Sequence, residues 1–341
     1  VMAGSANHSR LTSMTYPNGK VLTYNYSTGL NDGISRLSSL SDSGDSLEDY
    51  AYLGLGTMVE RDHTLLPLAV PMSPPVAQSL DLTYITSSPG DAGDAYGGLD
   101  RFGRVVDQNW VIDDGSPAAV DRYQYTYDEK GNRLSKDNLI DNNFNEDYAY
   151  DDLNQLIDFD RSNGFDQNWD YDGLGNWDSF DDDGTVQTRT HNAQNEVVTV
   201  SSATSPAFDN NGNMITDETN KDFVFDAWNR LVEVKNASNV TIAVYEYDGL
   251  TQRIQEAEGG ATKDLYYSAS WQVLEERDEA RTNDVISQYV WSPVYVDALV
   301  LRDRDTADDG TLDERLWVAQ DANFNITALI DSSGAVVERF T

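Results

Sequence analysis

The 341-residue sequence contains no cysteine, which excludes disulfides, thiol catalysis and cysteine-ligated zinc. Basic residues are scarce: 23 Lys and Arg stand against 59 Asp and Glu, for a formal net charge of −36. A surface of that sign repels phosphate backbones and anionic headgroups, so neither nucleic acid nor membrane is expected as a partner. No apolar run approaches the roughly 18 residues of a membrane span. Proline is rare as well, with nine residues, four of them crowded into Pro67, Pro71, Pro74 and Pro75. Hydrophobic residues reach only 39%. The chain opens at Val1 within repeat-like sequence and carries no signal peptide, so it is expected to be a fragment of a longer, extracellular or cell-surface protein.

Aromatic residues are plentiful: 19 Tyr, 10 Phe and 7 Trp. They argue against disorder and suit half-buried pleated sheets. From residue 120 onward they recur in a pattern of aromatic, Asp, turn, Asn and apolar residue. The copies begin at Tyr127-Asp128 with Gly131-Asn132, Tyr150-Asp151 with Asn154, Tyr171-Asp172 with Gly175-Asn176, Phe208-Asp209 with Gly212-Asn213, Phe225-Asp226 with Asn229, and Tyr247-Asp248. His191-Asn192 is a degenerate copy, and Asp178 interrupts the apolar position of the third. The aromatic positions 127, 150, 171, 191, 208, 225 and 247 are spaced by 23, 21, 20, 17, 17 and 22 residues.

Each copy reads as a β-hairpin. Tyr125, Tyr148, Trp169, Phe223 and Tyr245 precede the key aromatic by two residues, which places both rings on one face of a strand. Asp and Asn bracket the reversal because their short side chains bond nearby backbone and tolerate unusual dihedrals. Copies one, three and five have Gly before the Asn, while the others have one residue fewer. This predicts two alternating loop lengths and a structural unit of two repeats. Single hairpins are marginal, so neighbours must pair edge to edge into a sheet that twist curls into a spiral.

The regular repeats occupy 120–260. Looser hairpins are expected over 1–63, a Pro-rich loop or crossover over 64–79, flanking strands over 80–119 and longer hairpins over 261–341, all one contiguous segment. Chemistry is sparse. Gly44-Asp45-Ser46-Leu47 spells a lipase-like tetrapeptide, but no His is preceded by an Asp three residues earlier, as such hydrolases need. Asp303, Asp305, Asp309 and Asp313 echo a calcium loop that lacks its third-position ligand and its bidentate Glu, and Asp178 with Asp181, Asp182 and Asp183 is a weaker echo. A calcium ion is the one cofactor these loops suggest. No constellation supports an enzyme.

The copies at 127–134, 150–156 and 225–234 resemble Rhs (YD) repeats, and 98–106, 271–277 and 320–339 resemble the core regions of large bacterial members. The resemblance implies an all-β fold of antiparallel hairpin repeats in a continuous spiralling sheet, as an arc or wall of a hollow shell. In polymorphic toxins and insecticidal toxin complexes such shells enclose a C-terminal effector, and in teneurins a related shell serves adhesion. The expected role is therefore a non-catalytic shell segment whose partners are the rest of its own longer chain, neighbouring copies at exposed strand edges, or an enclosed effector. Its acidic walls would hold a basic cargo. The alternative is an adhesion or fibre module binding partner chains or glycans. Family shells close with an aspartyl self-cleavage core, about where this chain stops, so no catalytic residue is carried over. Because closed shells use far longer chains, this piece is expected to form an open arc.

Overall fold

The computed structural model describes residues 10–65, 78–84, 97–281 and 283–340. Most of the Pro-rich stretch lies outside them. The described chain is a ribbon of antiparallel strands in strict sequence order, divided into a sheet of 15 strands and a sheet of 13. The division falls between strands Val197–Val200 and Ala207–Phe208. Strands beyond it shrink to two and three residues at Ala207–Phe208 and Met214–Thr216. Pro206, which cannot donate to a ladder, occupies the gap. The expected continuous sheet is thus broken once.

The reversals are built alike. In each, the Asp amide donates to the carbonyl four residues on, as from Asp128 to Asn132, Asp151 to Gln155 and Asp226 to Arg230. The Asp Oδ1 accepts the amides two and four residues on, at 2.9 and 2.8 Å for Asp128 and 2.8 and 2.8 Å for Asp151. The third residue after the Asp has positive φ: 95° at Gly131, 64° at Asn154, 86° at Gly175, 64° at Asn195, 83° at Gly212 and 60° at Asn229. The expectation of two loop lengths is therefore corrected. One loop serves every copy, and in the first six its left-handed position is filled by Gly or by Asn, the residue types that enter it at least cost. The two-repeat unit survives in another form. In Gly copies the displaced Asn reaches forward, so that Asn132 donates to Asn154 Oδ1 at 3.0 Å, Asn176 to Asn195 at 3.2 Å and Asn213 to Asn229 at 2.9 Å.

A β-bulge follows each such turn. Tyr127 pairs with Arg133 but Thr126 with Ser135, and the same shift recurs at Tyr150, Tyr171, His191, Phe208, Phe225, Tyr247, Tyr267 and Trp291. The key tyrosine then donates to the carbonyl that follows the preceding loop: Tyr127 to Val105 at 2.9 Å, Tyr171 to Leu156 at 2.6 Å, Tyr247 to Leu231 at 2.8 Å and Tyr267 to Arg253 at 2.8 Å. This bond reveals a repeat that its residues hid. Leu99 pairs with Val105 across a loop of Asp100 and Gly103 (φ 78°), with an aliphatic residue where other copies carry a ring.

Cross-strand registers place the rings on one face. In the first sheet Tyr148 opposes Phe159 and Trp169 opposes Phe180. Tracing back, Tyr123 opposes Gln108, Trp110 opposes Leu82, Leu82 opposes Arg61, and Arg61 opposes Tyr50, all on that same ring-bearing face. In the second sheet Tyr245 opposes Glu256 and Glu256 opposes Lys263, while Leu265 opposes Glu276 and Glu276 opposes Ser287, so Tyr289 continues the ring face. Val290, Leu301, Trp317 and Ile330 lie on the reverse.

The main core joins the two sheets. Leu22, Leu40, Leu80 and Trp110 from the first pack with Val290, Leu301, Trp317 and Ile330 from the second. The ring face of the early strands therefore covers the back of the late strands. A ribbon folded back on itself would bring like faces together; only a spiral overlap brings unlike ones. The ring side of the late strands carries a second buried cluster of Leu299, Leu316, Val318 and Leu329. The expected open arc is corrected: the ends overlap, because together they supply an apolar area that neither sheet buries alone.

In the seventh copy the residue conflicts with the turn it occupies. Thr251 is β-branched and sits at φ 71°. Thr251→Gly is expected to raise stability by about 1 kcal/mol, read as a higher urea midpoint with an unchanged slope.

Candidate functional site: the seam and the ring-lined face

The overlap holds the larger of the two buried hydrophobic clusters among the described residues. At its centre lie Glu48, Arg61 and His63, all buried. Arg61 Nε and Tyr50 Oη both donate to the Glu48 carboxylate, and His63 Nε2 lies 3.2 Å from Glu48 Oε1. The Tyr50 hydroxyl is also 2.7 Å from Ser292 Oγ of the other sheet. The His63 ring packs between Trp110 and Trp317, with centroids 5.3 and 5.6 Å away. Burial alone would raise the Glu48 carboxyl, but Arg61, His63 and Tyr50 outweigh it and hold it at about 2. Burial pushes the His63 imidazole below its ordinary range, so it is neutral at pH 7.

Further polar bonds fix the register of the two windings. Tyr16 Oη donates to Tyr289 O at 2.8 Å and Trp110 Nε1 to Gln320 O at 2.8 Å. Lys20 lies 3.2 Å from Asp303, Lys136 3.3 Å from Asp321 and Arg339 3.4 Å from Asp121. Nothing local in the sequence signals these pairs, which lie up to 283 residues apart.

The calcium loop read from Asp303, Asp305, Asp309 and Asp313 does not assemble. Asp303 is buried in the seam and receives both Arg315 nitrogens, at 2.7 and 2.8 Å. Asp305 accepts the Gly310 amide at 2.8 Å and an Arg281 nitrogen at 3.2 Å. Asp309 accepts the Thr311 amide, and Asp313 accepts the Thr306 amide and hydroxyl. Each carboxylate serves its own partner. In Gly44-Asp45-Ser46-Leu47 the glycine closes a turn at φ 96° and the rest opens the strand Asp45–Leu53, with Ser46 donating to Asp49 and Leu47 entering the core.

Cations stack on the rings, and runs of like acids stand on the reverse of the first sheet. On the ring side, Arg133 lies 4.4 Å over Tyr125, Lys136 4.8 Å over Tyr123, Arg189 4.8 Å over Trp177 and Arg253 4.8 Å over Tyr245. On the reverse of the first sheet, Asp49 opposes Asp62, which opposes Asp81, and Asp147 opposes Asp160, which opposes Asp166. Like charges so placed repel, and are sustained only on the face turned to water. Burial, with Glu60, Asp81 and Asp49 adding repulsion, raises the Asp62 carboxyl to about 7.

The loop-bearing edge carries the repeat signatures and a row of exposed apolar residues. Phe102, Leu153, Leu174, Trp228 and Leu250, each two residues after a loop Asp, are 72–76% exposed. Across loops, Arg230 Nε bonds Asp226 at 2.7 Å while its Nη1 reaches Asp248 O at 3.0 Å.

No family model and no curated protein matches the sequence. Among solved structures, the chain is similar to the pore form of the Photorhabdus luminescens Tc holotoxin carrying a mutated TccC3, at TM-score 0.67 and 13% identity over 97% of this chain and 17% of that chain. It is also similar to TcdB2–TccC3, at TM-score 0.64 and 13% identity over 96% of this chain and 17% of that one. The chain spans about a sixth of the length of those neighbours. The likeness establishes the fold, an Rhs-type antiparallel β-ribbon.

Two outcomes are expected. Glu48→Gln leaves Arg61 buried without its counter-charge and should cost about 3–5 kcal/mol in urea unfolding. Asp62 has a folded value above its ordinary 3.8, so its protonated form stabilises the fold fully below about 3.8, and that contribution is lost as pH rises through about 7. Asp62→Asn should therefore stabilise by up to about 1 kcal/mol at about pH 8 and by nothing at about pH 3.

Proposed function

We propose that this chain is a non-catalytic wall segment of a larger Rhs-type shell, in a secreted or surface protein whose downstream segment is enclosed as an effector. The observation that carries this reading is the overlap of ring face on back face, since a ribbon that winds in one sense encloses what lies on its inner side. The structural neighbours support it as chains of multi-component toxin assemblies. The acid ladders on the outer face then act for solubility and against self-association.

The exposed row of Phe102, Leu153, Leu174, Trp228 and Leu250 favours a second reading, an extracellular adhesion or fibre module whose loop edge contacts partner chains. Limited proteolysis of the longer protein that carries this chain separates the two. In a shell, the downstream segment resists protease until urea opens the wall. Cleavage in the native protein as fast as in the isolated segment would end the shell reading, and concentration-dependent filaments would then support the fibre.

A further inference from the structure

Two departures from the repeat pattern meet in space. The key ring of each copy lies beside the loop Asp of the copy before it, and the carboxylates of Asp128, Asp151, Asp226 and Asp248 accordingly act on Tyr150, Tyr171, Tyr247 and Tyr267. In the fourth copy that slot holds His191, whose neighbour is the Asp172 loop. The bulge residue after that same loop is Asp178, where the others shown by the registers are Leu134, Ile157, Val198, Ile215, Val232 and Ile254. One donor atom from each of Asp172, Asp178 and His191 lies within 4.8 Å of the other two.

The geometry points to a divalent transition-metal site formed by Asp172, Asp178 and His191, with zinc the chemical type. One imidazole and two carboxylates are a borderline-to-hard donor set that suits zinc or cobalt and disfavours calcium, which takes oxygen ligands. Small side-chain rotations bring such donors to the roughly 2.0–2.2 Å that zinc requires, leaving a fourth position for water or a partner's ligand. A second, independent feature agrees. In other copies Tyr127, Tyr171, Tyr247 and Tyr267 each spend the hydroxyl on a backbone carbonyl. Among the described residues, neither the His191 ring nor the Asp178 carboxylate has a hydrogen-bond partner. Asp172 keeps its turn through Oδ1, which accepts Leu174 N at 2.8 Å and Asn176 N at 2.9 Å, while Oδ2 accepts only Asn176 Nδ2, at 2.9 Å, and keeps a lone pair for a metal. The metal would clamp two neighbouring copies close to the point where the ribbon divides.

The test uses restorations of the repeat. His191→Tyr and Asp178→Leu return each position to the type its sister copies carry, so both variants should fold. The parent chain should bind one equivalent of Zn²⁺ by calorimetry, gain thermal stability with it, and give the visible spectrum of a low-symmetry site with Co²⁺. Each variant should lose at least about tenfold in Zn²⁺ affinity and lose the Co²⁺ bands, with its metal-free melting unchanged or raised. No binding by the parent, or Zn²⁺ binding equal in the parent and both variants, would overturn the assignment. Preference for Ca²⁺ over Zn²⁺ would overturn the metal class.

Discussion

The structure depends on register. A strand shifted by one residue presents its whole ring set to the opposite face, and a ribbon of this length meets that hazard at every reversal. The shared loop answers it. An Asp carboxylate binds two amides, a left-handed residue closes the turn, and a bulge resets the count in the same place each time. The amide of Asn176 donates to Asp172 and that of Asn213 to Asp209, and with the loop amides they hold both carboxyls below their ordinary range. The anchors therefore stay ionised wherever the protein is folded near neutral pH.

With register secured, one-sidedness has consequences at larger scale. Rings and the cations stacked on them share one face, and the reverse of the first sheet carries acid ladders. The inward curve carries the late strands beneath the early ones, and the seam forms between unlike faces. Its stability comes mainly from buried Trp110, Trp317 and their aliphatic neighbours, because apolar burial contributes about 25 cal/mol per Å² whereas exposed ion pairs contribute about 0–1 kcal/mol each. The buried Glu48–Arg61–His63 group adds specificity: a displaced seam would leave an unpaired charge in a dry interior.

Carboxylates that looked available in the sequence are committed to turns, to Arg315 and Arg281, or to like-charged ladders. The exceptions are positions where the repeat departs from itself, and there side chains stand without the bonds that their counterparts make. In a repetitive scaffold such departures are where added function is most legible.

What could be read from residues alone was periodic and local: the hairpins, the ring face, and the Asp and Asn of the turns, because period-two alternation and short-range side-chain bonding act within about ten residues. Local spacing also misled, since Gly-Asn and Asn turns differ in letters yet share one geometry, and Leu99 concealed a copy by lacking a ring. Only the tertiary structure decided that the ends overlap, which face of the late strands is covered, and that Lys20 meets Asp303 or Tyr50 meets Ser292. Those facts follow from the curvature summed over the whole ribbon, and no window of sequence contains that sum.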